Sequence, residues 1–309
     1  MCGENETQVT QIRLLGFQSL HKYRTLLFIV FLLTYIFILA GNLLIILLIS
    51  VIDHLKTPMY FFLKHLSISD VLLTTSIVPL LLHIIITEEG ILSFRGCIFQ
   101  LFLFIILGCF QCFLIAVMSY DRYLAICHPL RYSSLMSPDL CLQLVFGAWF
   151  LDSVLTISEI IVIIQSNFCG LNYIDHFFCD FGPVVELATS DNSVVKMQDF
   201  VFNIFIFVLP FIFIVMTYIC IFLTILKRSF GKRKAFSTCS SHLITVCVYY
   251  GSYITVYMFP SDESSSHINK YKSLCYLVVA PLLNPIIYSL RNHEIKKAVQ
   301  KITIYILKR

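Results

Sequence analysis

The chain has 309 residues and a formal net charge of +4, and 58% of its residues are apolar while 13% are charged. Ordinary soluble domains contain roughly 45–50% apolar and about 25% charged residues, so this composition excludes an ordinary soluble protein. A lipid bilayer is the expected environment, and no nucleic-acid partner is expected.

Long apolar runs recur seven times along the chain, and each is near or above the roughly 20 residues that a helix needs to cross a bilayer. The backbone must satisfy its own hydrogen bonds in lipid, so each run is predicted to be a helix. The predicted spans are Thr25–Ile52, Met59–Ile86, Cys97–Ile126, Leu140–Ile164, Phe200–Leu226, Ala235–Phe259 and Tyr271–Leu290. The expected fold is an all-α membrane protein, in which residues 25–290 form a single seven-transmembrane helix bundle.

The basic residues predict the orientation, because Lys and Arg are enriched in short cytoplasmic loops. Most of them fall in the loops after the first, third and fifth spans and in the tail 291–309. The chain is therefore expected to be a multi-pass plasma-membrane protein, with residues 1–24 outside and 291–309 in the cytoplasm. Asn5, in the sequon Asn5-Glu6-Thr7, then faces the side where N-glycosylation occurs.

The tail after the seventh span has a helical pattern of apolar positions. Ile295, Val299, Ile302 and Ile306 recur at helical spacing between basic residues. Such a pattern is typical of a short amphipathic helix that lies on the inner membrane face. A disordered basic tail is the alternative.

Five motifs follow one another along the spans. They are Gly41-Asn42, Pro58–Leu63 with Asp70 after it, Met118–Tyr132, Lys234–Leu243 and Pro281–Asn292. Together, at these separations, they resemble the odorant (olfactory) receptors, a branch of the rhodopsin-like G-protein-coupled receptors. The resemblance implies a receptor without enzymatic activity, which binds small hydrophobic odorants in the outer half of the bundle and activates a stimulatory heterotrimeric G protein.

Three other functions are weighed against this one. A rhodopsin-like receptor for a lipid or a peptide is the nearest rival, and the five motifs argue against it. A secondary transporter would show internal repeats, which the seven runs do not display. A membrane hydrolase would need a nucleophile with a base, and the intramembrane acids fall on different spans without a recognisable catalytic motif.

The third span ends in the adjacent acid and base Asp121 and Arg122. The resemblance implies an ion pair at rest and an arginine that meets the G protein on activation. Related receptors often tie this arginine to an acid at the foot of the sixth span, but residues 232–236 contain no acid. Tyr218 and Tyr288 are the expected switch tyrosines, and Pro285 gives the seventh span a place to kink.

Asp70 is an acid within an apolar span, where an unpaired carboxylate costs roughly 2.5–3.5 kcal/mol. Asn42 and Asn284 are its expected partners, since both lie within spans and carry amide groups. The resemblance implies a hydrated polar cluster that sometimes holds a sodium ion. A hydrogen-bonded network that fixes helix packing is the other interpretation.

The odorant is expected to lie among apolar and aromatic side chains. The third span has no charge between Cys97 and Cys112, which argues against an amine and favours small uncharged molecules. The residues implied by family geometry are Phe104, Ile105, Gly108, Cys109, Cys112, Phe202, Asn203, Ile206, Phe207, Tyr253, Tyr257 and Leu277. Asn203 and Tyr257 are the expected hydrogen-bond partners. Each apolar member taken alone is also explained by core packing.

The outer side carries four cysteines, where disulfides persist. The resemblance implies a bridge from Cys97 to Cys179, whereas the residues alone leave open three pairings with Cys2 and Cys169.

Three further patterns invite a functional interpretation. The His176–Cys179 and Cys239–His242 motifs each offer two metal-ligand types of the usual three or four, so no metal is expected. Asp152 and Glu159 share one face of the fourth span, where they could line a polar pocket edge or face water and neighbouring helices.

Overall fold

The computed structural model describes residues 8–227, 232–254, 266–291 and residue 295. This part of the chain contains seven long helices, labelled α1 to α7. They are α1 (Arg24–Val51), α2 (Pro58–Thr87), α3 (Phe94–Cys127), α4 (Pro138–Gln165), α5 (Ser193–Lys227), α6 (Lys232–Tyr253) and α7 (Ser266–Arg291). Each contains most or all of one predicted span, so the predicted helix bundle is confirmed. The far end of the sixth predicted span, the tail 292–309 apart from Ile295, and the sequon Asn5 lie outside the described residues.

Six of these helices, all except α6, are long and apolar enough to cross a membrane. Their apolar side chains also point outward, as the 69% exposure of Phe146 and the 73% exposure of Phe150 on α4 illustrate. Polar groups such as Asp70 and Asn284 are instead buried between the helices. This distribution reverses that of a soluble protein, and it fits a bundle whose outer surface contacts lipid.

The helix starts follow from local sequence. The Ser93 hydroxyl accepts a hydrogen bond from the Gly96 backbone N–H at the start of α3, and Ser137 accepts one from Leu140 at the start of α4. Such N-caps satisfy backbone donors that have no partner within the helix. Pro138 at the first position of α4 needs no donor there, so it favours the same start.

α5 differs from a regular helix and from its predicted bounds. It begins at Ser193 rather than Phe200, and a π-helical turn, Ile204–Val208, joins its outer segment Ser193–Asn203 to Leu209–Lys227. A π turn is wider than an α turn and is frequently found at functional sites. It changes the angle at which the residues around Asn203 face the bundle.

A small sheet, which the sequence analysis did not predict, covers the outer side. Its strands are β1 (Gln11–Leu14), β2 (Gly90–Ser93) and β3 (Tyr173–Ile174), in the order β2-β1-β3. β1 pairs antiparallel with β2 and parallel with β3. The segment before α1 is thereby hydrogen-bonded to the first and second outer loops.

Two covalent and ionic links hold the second outer loop over the bundle. Cys97 of α3 and Cys179 form the disulfide that the resemblance implied, with their Cα atoms 5.5 Å apart. Buried Lys270 of α7 donates to the Gly16 carbonyl oxygen at 2.9 Å and pairs with Asp175. Cys169 is disulfide-bonded as well, and Cys2, its possible partner, lies outside the described residues.

Candidate functional site

A cavity of about 70 Å³ lies toward the outer ends of α3, α4, α5, α6 and α7. Its walls are Phe104, Ile105, Gly108, Cys109, Glu159, Phe181, Asp199, Phe202, Asn203, Phe207, Tyr253 and Tyr276. Sites for drug-sized ligands are typically about 300–1,000 Å³. In this conformation the cavity is therefore far smaller than such a site, and only a small ligand suits it.

Eight of the predicted odorant-contacting residues line this cavity. They are Phe104, Ile105, Gly108, Cys109, Phe202, Asn203, Phe207 and Tyr253. Cys112, Ile206 and Leu277 are buried in the core instead. Cys112 lies one helical turn from Gly108 toward the inner end of α3, and Ile206 lies in the π turn. Tyr257 lies outside the described residues.

The sequence analysis missed three residues that line the cavity, Phe181, Asp199 and Tyr276, and left open whether Glu159 lies at a pocket edge, where the structure places it. Asp199 precedes the predicted start of the fifth span, and Phe181 is brought in by the loop that Cys179 anchors. The shared face of Asp152 and Glu159 was a usable signal for Glu159. The expectation of a charge-free lining was incomplete, because it considered α3 while both acids come from α4 and α5.

The polar side of the cavity is one connected network. The carboxyl groups of Glu159 and Asp199 are hydrogen-bonded to each other, and Asp199 also bonds Asn203. The Tyr253 hydroxyl donates to Asn203 Oδ1. Further along α4, Asp152 accepts a hydrogen bond from Thr156 at 3.2 Å and does not line the cavity.

A second polar network surrounds Asp70 in the middle of the bundle. Asp70 Oδ1 accepts from Gln111 Nε2 at 2.9 Å and from Tyr249 Oη at 3.1 Å. Asn284 Nδ2 donates to Asp70 Oδ2 and to Tyr249 Oη, both at 2.8 Å. The predicted partner Asn284 is therefore present, and Gln111 and Tyr249 are two that the sequence analysis missed. Asp70 joins α2 to α3, α6 and α7.

Asn42, the other predicted partner of Asp70, has a different role. Its Nδ2 donates to the Pro281 carbonyl oxygen at 3.2 Å. Pro285 has no N–H, so the carbonyl four residues before it, that of Pro281, loses its helical hydrogen bond. A Cβ at Gly41 would lie 2.8 Å from Pro285 Cβ, which shows how closely α1 approaches α7 there. Gly41 therefore permits the contact, and Asn42 satisfies the carbonyl that Pro285 leaves free.

Asn42→Leu is expected to destabilise the receptor without changing its ligand preference. The substitution leaves the buried Pro281 carbonyl without its donor, which costs about 1–3 kcal/mol. Thermal unfolding of the detergent-purified receptor measures the loss. A variant as stable as the unmodified chain would show that this hydrogen bond contributes nothing.

The residues around Asp70 test the fit of a sodium ion. Sodium is a hard cation and binds lone pairs of oxygen atoms, as calcium and magnesium do. The amides of Gln111 and Asn284 turn their N–H groups toward Asp70, and Tyr249 donates its hydroxyl hydrogen to it. This arrangement satisfies the carboxylate with donors and does not fit a cation.

The inner end of α3 holds the adjacent acid and base in an ion pair. Arg122 Nη2 lies 2.8 Å from Asp121 Oδ2, and the Tyr132 hydroxyl donates to Asp121 Oδ1 at 2.7 Å. Burial, followed by the nearby Asp121 carboxylate, raises the pKa of Tyr132, so this hydroxyl keeps its proton. The Asp121 side chain is fully buried and that of Arg122 is 13% exposed. The arginine is thus held against the bundle next to the cytoplasm.

His242 joins three helices at the inner half of the bundle. Its Nε2 lies 3.1 Å from the Ile115 carbonyl oxygen of α3, and its Nδ1 lies 2.6 Å from the Tyr218 hydroxyl of α5. A carbonyl oxygen only accepts, so Nε2 carries the proton and Nδ1 accepts from Tyr218. Both nitrogens are therefore engaged, which leaves none for a metal ion. Tyr288 of α7, the other predicted switch tyrosine, shares a 3.3 Å hydrogen bond with Thr245 of α6.

The outer motif with metal-ligand residue types is also explained by packing. Cys179 is in the disulfide with Cys97, so it offers no thiolate. His176 stacks on Phe177 with ring centroids 4.6 Å apart. Burial, together with the nearby Lys270 cation, lowers the pKa of His176 to about 3, so its ring is neutral at physiological pH.

Comparison with known proteins agrees with this geometry. A family model described as olfactory receptor matches residues 31–305. Olfactory receptor 6B1 of Homo sapiens is 42% identical over 299 residues, which cover 97% of this chain and 96% of that protein. Olfactory receptor 10A7 of Homo sapiens is 43% identical over 303 residues, with 97% and 96% covered. Olfactory receptor 5P81 of Mus musculus is 44% identical over 299 residues, with 96% and 95% covered.

Proposed function

Because the chain belongs to the olfactory receptor family, we propose that its odorant binds in the cavity between α3 and α7 and that its inner end activates a stimulatory G protein. The chain is a multi-pass membrane protein and an odorant receptor, with the G-protein coupling that is general to its family, and it is not an enzyme. We propose the position of the odorant cavity, the identity of the switch residues and the kind of G protein.

The observation that carries the proposal is the position of the cavity between helices that also meet at the inner end. Asn203 and Tyr218 lie on α5, and Tyr253 and His242 lie on α6. The cavity network contains Asn203 and Tyr253, while Tyr218 and His242 are bonded to each other nearer the cytoplasm. A ligand that changes the spacing of α5 and α6 at the cavity therefore acts on the same two helices at their inner ends.

In this mechanism the ligand shifts an equilibrium between two arrangements of the bundle. An odorant that binds the active arrangement more tightly raises its population by that difference in affinity. The His242 contacts with Tyr218 and Ile115 hold α6 against α5 and α3 in the resting arrangement. Their release lets α6 move and uncovers Arg122 for the G protein. In this mechanism the resting arrangement needs no acidic residue at the cytoplasmic end of α6 to hold Arg122.

The inner surface beside Arg122 supports a protein partner at this end. Leu130, in the loop after α3, is 97% exposed although it is apolar. Arg131 next to it is also exposed. An apolar side chain with a basic neighbour suits a contact that buries the leucine on binding and pairs the cation with an acidic partner.

A cell-based odorant panel tests the proposed function. The receptor is expressed at the cell surface, and each odorant is scored by the cyclic AMP that a stimulatory G protein produces. Odorants are expected to raise cyclic AMP in a dose-dependent way. Responses that appear in calcium or inhibitory pathways without cyclic AMP would contradict the choice of G protein.

Gly108→Val tests whether the cavity is the odorant site. Gly108 and Tyr276 both line the cavity, and a Cβ at Gly108 would lie 2.9 Å from the Tyr276 hydroxyl oxygen, so the added side chain must displace that ring. Responses to all odorants are expected to fall by about tenfold or more, with surface expression retained. Gly147→Val is the matched control, because a Cβ there meets no atom within 4 Å. An unchanged response in Gly108→Val would place the ligand elsewhere.

The sodium ion near Asp70 stays a prediction of the resemblance. It would be held by Asp70 with the side-chain oxygens of Gln111 and Asn284. Both amides would have to rotate, since their N–H groups face the carboxylate. We therefore assign the ion no step in signalling.

A further inference from the structure

Two acids lie next to each other in the wall of the proposed odorant cavity. Glu159 of α4 and Asp199 of α5 both line the cavity, and their carboxyl groups are hydrogen-bonded. An ionised carboxylate has no hydrogen to donate, so this bond requires a proton on one of the two acids. Glu159 is 2% exposed, which removes it almost completely from water. The pair is therefore held with at most one negative charge.

One carboxyl oxygen of this pair has no hydrogen-bond donor among the described residues. In the described part of the chain, no amide, hydroxyl or cationic group donates to Glu159 Oε2, which is buried. The ion pairs of the described residues also lie elsewhere, at Glu88, Asp53, Asp121 and Asp175. A buried carboxyl group beside a second carboxyl group destabilises the fold unless a cation or a hydrogen-bond donor reaches it. The cavity is the open path by which such a group can arrive.

The other residues that line the cavity suit a small apolar molecule with a positive charge at one end. Phe104, Phe202, Phe207, Tyr253 and Tyr276 surround the cavity with aromatic surface. The rings of Phe207 and Tyr253 are stacked, and Phe104 meets Tyr276 edge to face with centroids 6.2 Å apart. Aromatic faces attract cations and also bury apolar groups. The cavity thus combines an acidic end with walls that accept a hydrocarbon skeleton.

We propose that the Glu159–Asp199 pair selects odorants that carry a protonated amine on a small apolar skeleton. The inference rests on the proposed function, because it takes this cavity to be the odorant site. The ammonium group donates to Glu159 Oε2, and its positive charge balances the one negative charge of the pair. An alcohol donates one hydrogen bond but brings no charge, and an anionic carboxylic acid is repelled.

The test uses probes that share a skeleton and differ in the polar group. Isoamylamine, isoamyl alcohol and isovalerate form one set, and cyclohexylamine and cyclohexanol form a second. Cyclic AMP is measured in cells that express the receptor, with surface labelling as the control for expression. In the unmodified receptor each amine is expected to act at a concentration about tenfold or more below that of its alcohol. Isovalerate is expected to be inactive.

Glu159→Gln and Asp199→Asn keep the shape of each side chain and remove its charge. Both are expected to raise the amine concentration needed for a response by about tenfold or more and to shift the alcohol response by less, so that the preference for the amine over its alcohol is lost. Replacement of one acid relieves the repulsion between the pair, so the variants are expected to reach the surface. Asp152→Asn is the matched control, since Asp152 is fully buried on the same helix but does not line the cavity.

The outcomes separate this inference from the proposed function. Amines that act no better than their alcohols, or an amine preference that survives in both acid variants, would overturn the selection of amines. The cavity assignment would still stand if Gly108→Val lost the alcohol response. If Gly108→Val retained every response, the proposed odorant site itself would fail. An amine response that falls equally in Asp152→Asn would also overturn the inference, because the effect would then come from buried charge in general.

Discussion

An Arg122→Ala receptor is expected to reach the cell surface and to give no odorant-evoked cyclic AMP. Arg122 is 13% exposed and lies at the inner end of α3, where it pairs with Asp121. The guanidinium carries five donors in a fixed fork and stays charged, so alanine replaces none of its contacts with the G protein. Cyclic AMP and surface labelling, measured on the same cells, test this expectation.

The control for this variant is Arg131→Ala, which removes an equal charge from the exposed loop after α3. Exposed charges usually contribute little, so Arg131→Ala is expected to reduce the response modestly. Arg122→Ala also leaves Asp121 buried without its cation, although Tyr132 still donates to it. A normal cyclic AMP response in a well-expressed Arg122→Ala receptor would contradict the assigned role.

A His242→Phe receptor is expected to signal without odorant. The substitution keeps an aromatic ring but removes the hydrogen bonds from α6 to Tyr218 and to the Ile115 carbonyl. Each bond contributes about 0.5–1.5 kcal/mol, so the loss of both removes about 1–3 kcal/mol, and 1.4 kcal/mol corresponds to a tenfold change in population. Basal cyclic AMP is therefore expected to rise by roughly fivefold or more.

Tyr218→Phe provides a graded comparison, because it removes one of the two bonds and leaves the bond to Ile115 in place. Its basal signal is expected to lie between those of the unmodified receptor and His242→Phe. The basal signal is normalised to surface receptor. If His242→Phe had the basal activity of the unmodified receptor and a full odorant response, the junction would not hold the resting state.

The helix bundle was predictable because a backbone in lipid must satisfy its own hydrogen bonds, which a helix does. Seven apolar runs of sufficient length predict seven helices, and the described residues contain all of them. The contacts of individual polar residues were harder to predict. Asn42 was expected to reach Asp70, whereas it bonds the carbonyl that Pro285 leaves free. The sequence carried that signal, since any proline within a helix frees the carbonyl four residues earlier.

Two parts of the outer half could not be predicted from local pattern. Asp199 was not among the predicted cavity residues, and it precedes the predicted span, which begins at Phe200, whereas α5 begins at Ser193. The outer sheet joins β1, β2 and β3 from segments far apart in sequence, and β3 has two residues. Pairing of such short segments depends on the loops being held together in space, which neither propensity nor periodicity reports.

The close approach of α1 and α7 at Gly41 and Pro285 has a mechanical consequence. Contact without an intervening side chain, together with the Asn42 hydrogen bond, ties these two helices into one stiff unit. Under the proposed mechanism this unit is the stationary part of the receptor, and α6 moves relative to it. A bulky residue at Gly41 would push α1 and α7 apart, so the response to odorants is expected to change although Gly41 does not line the cavity.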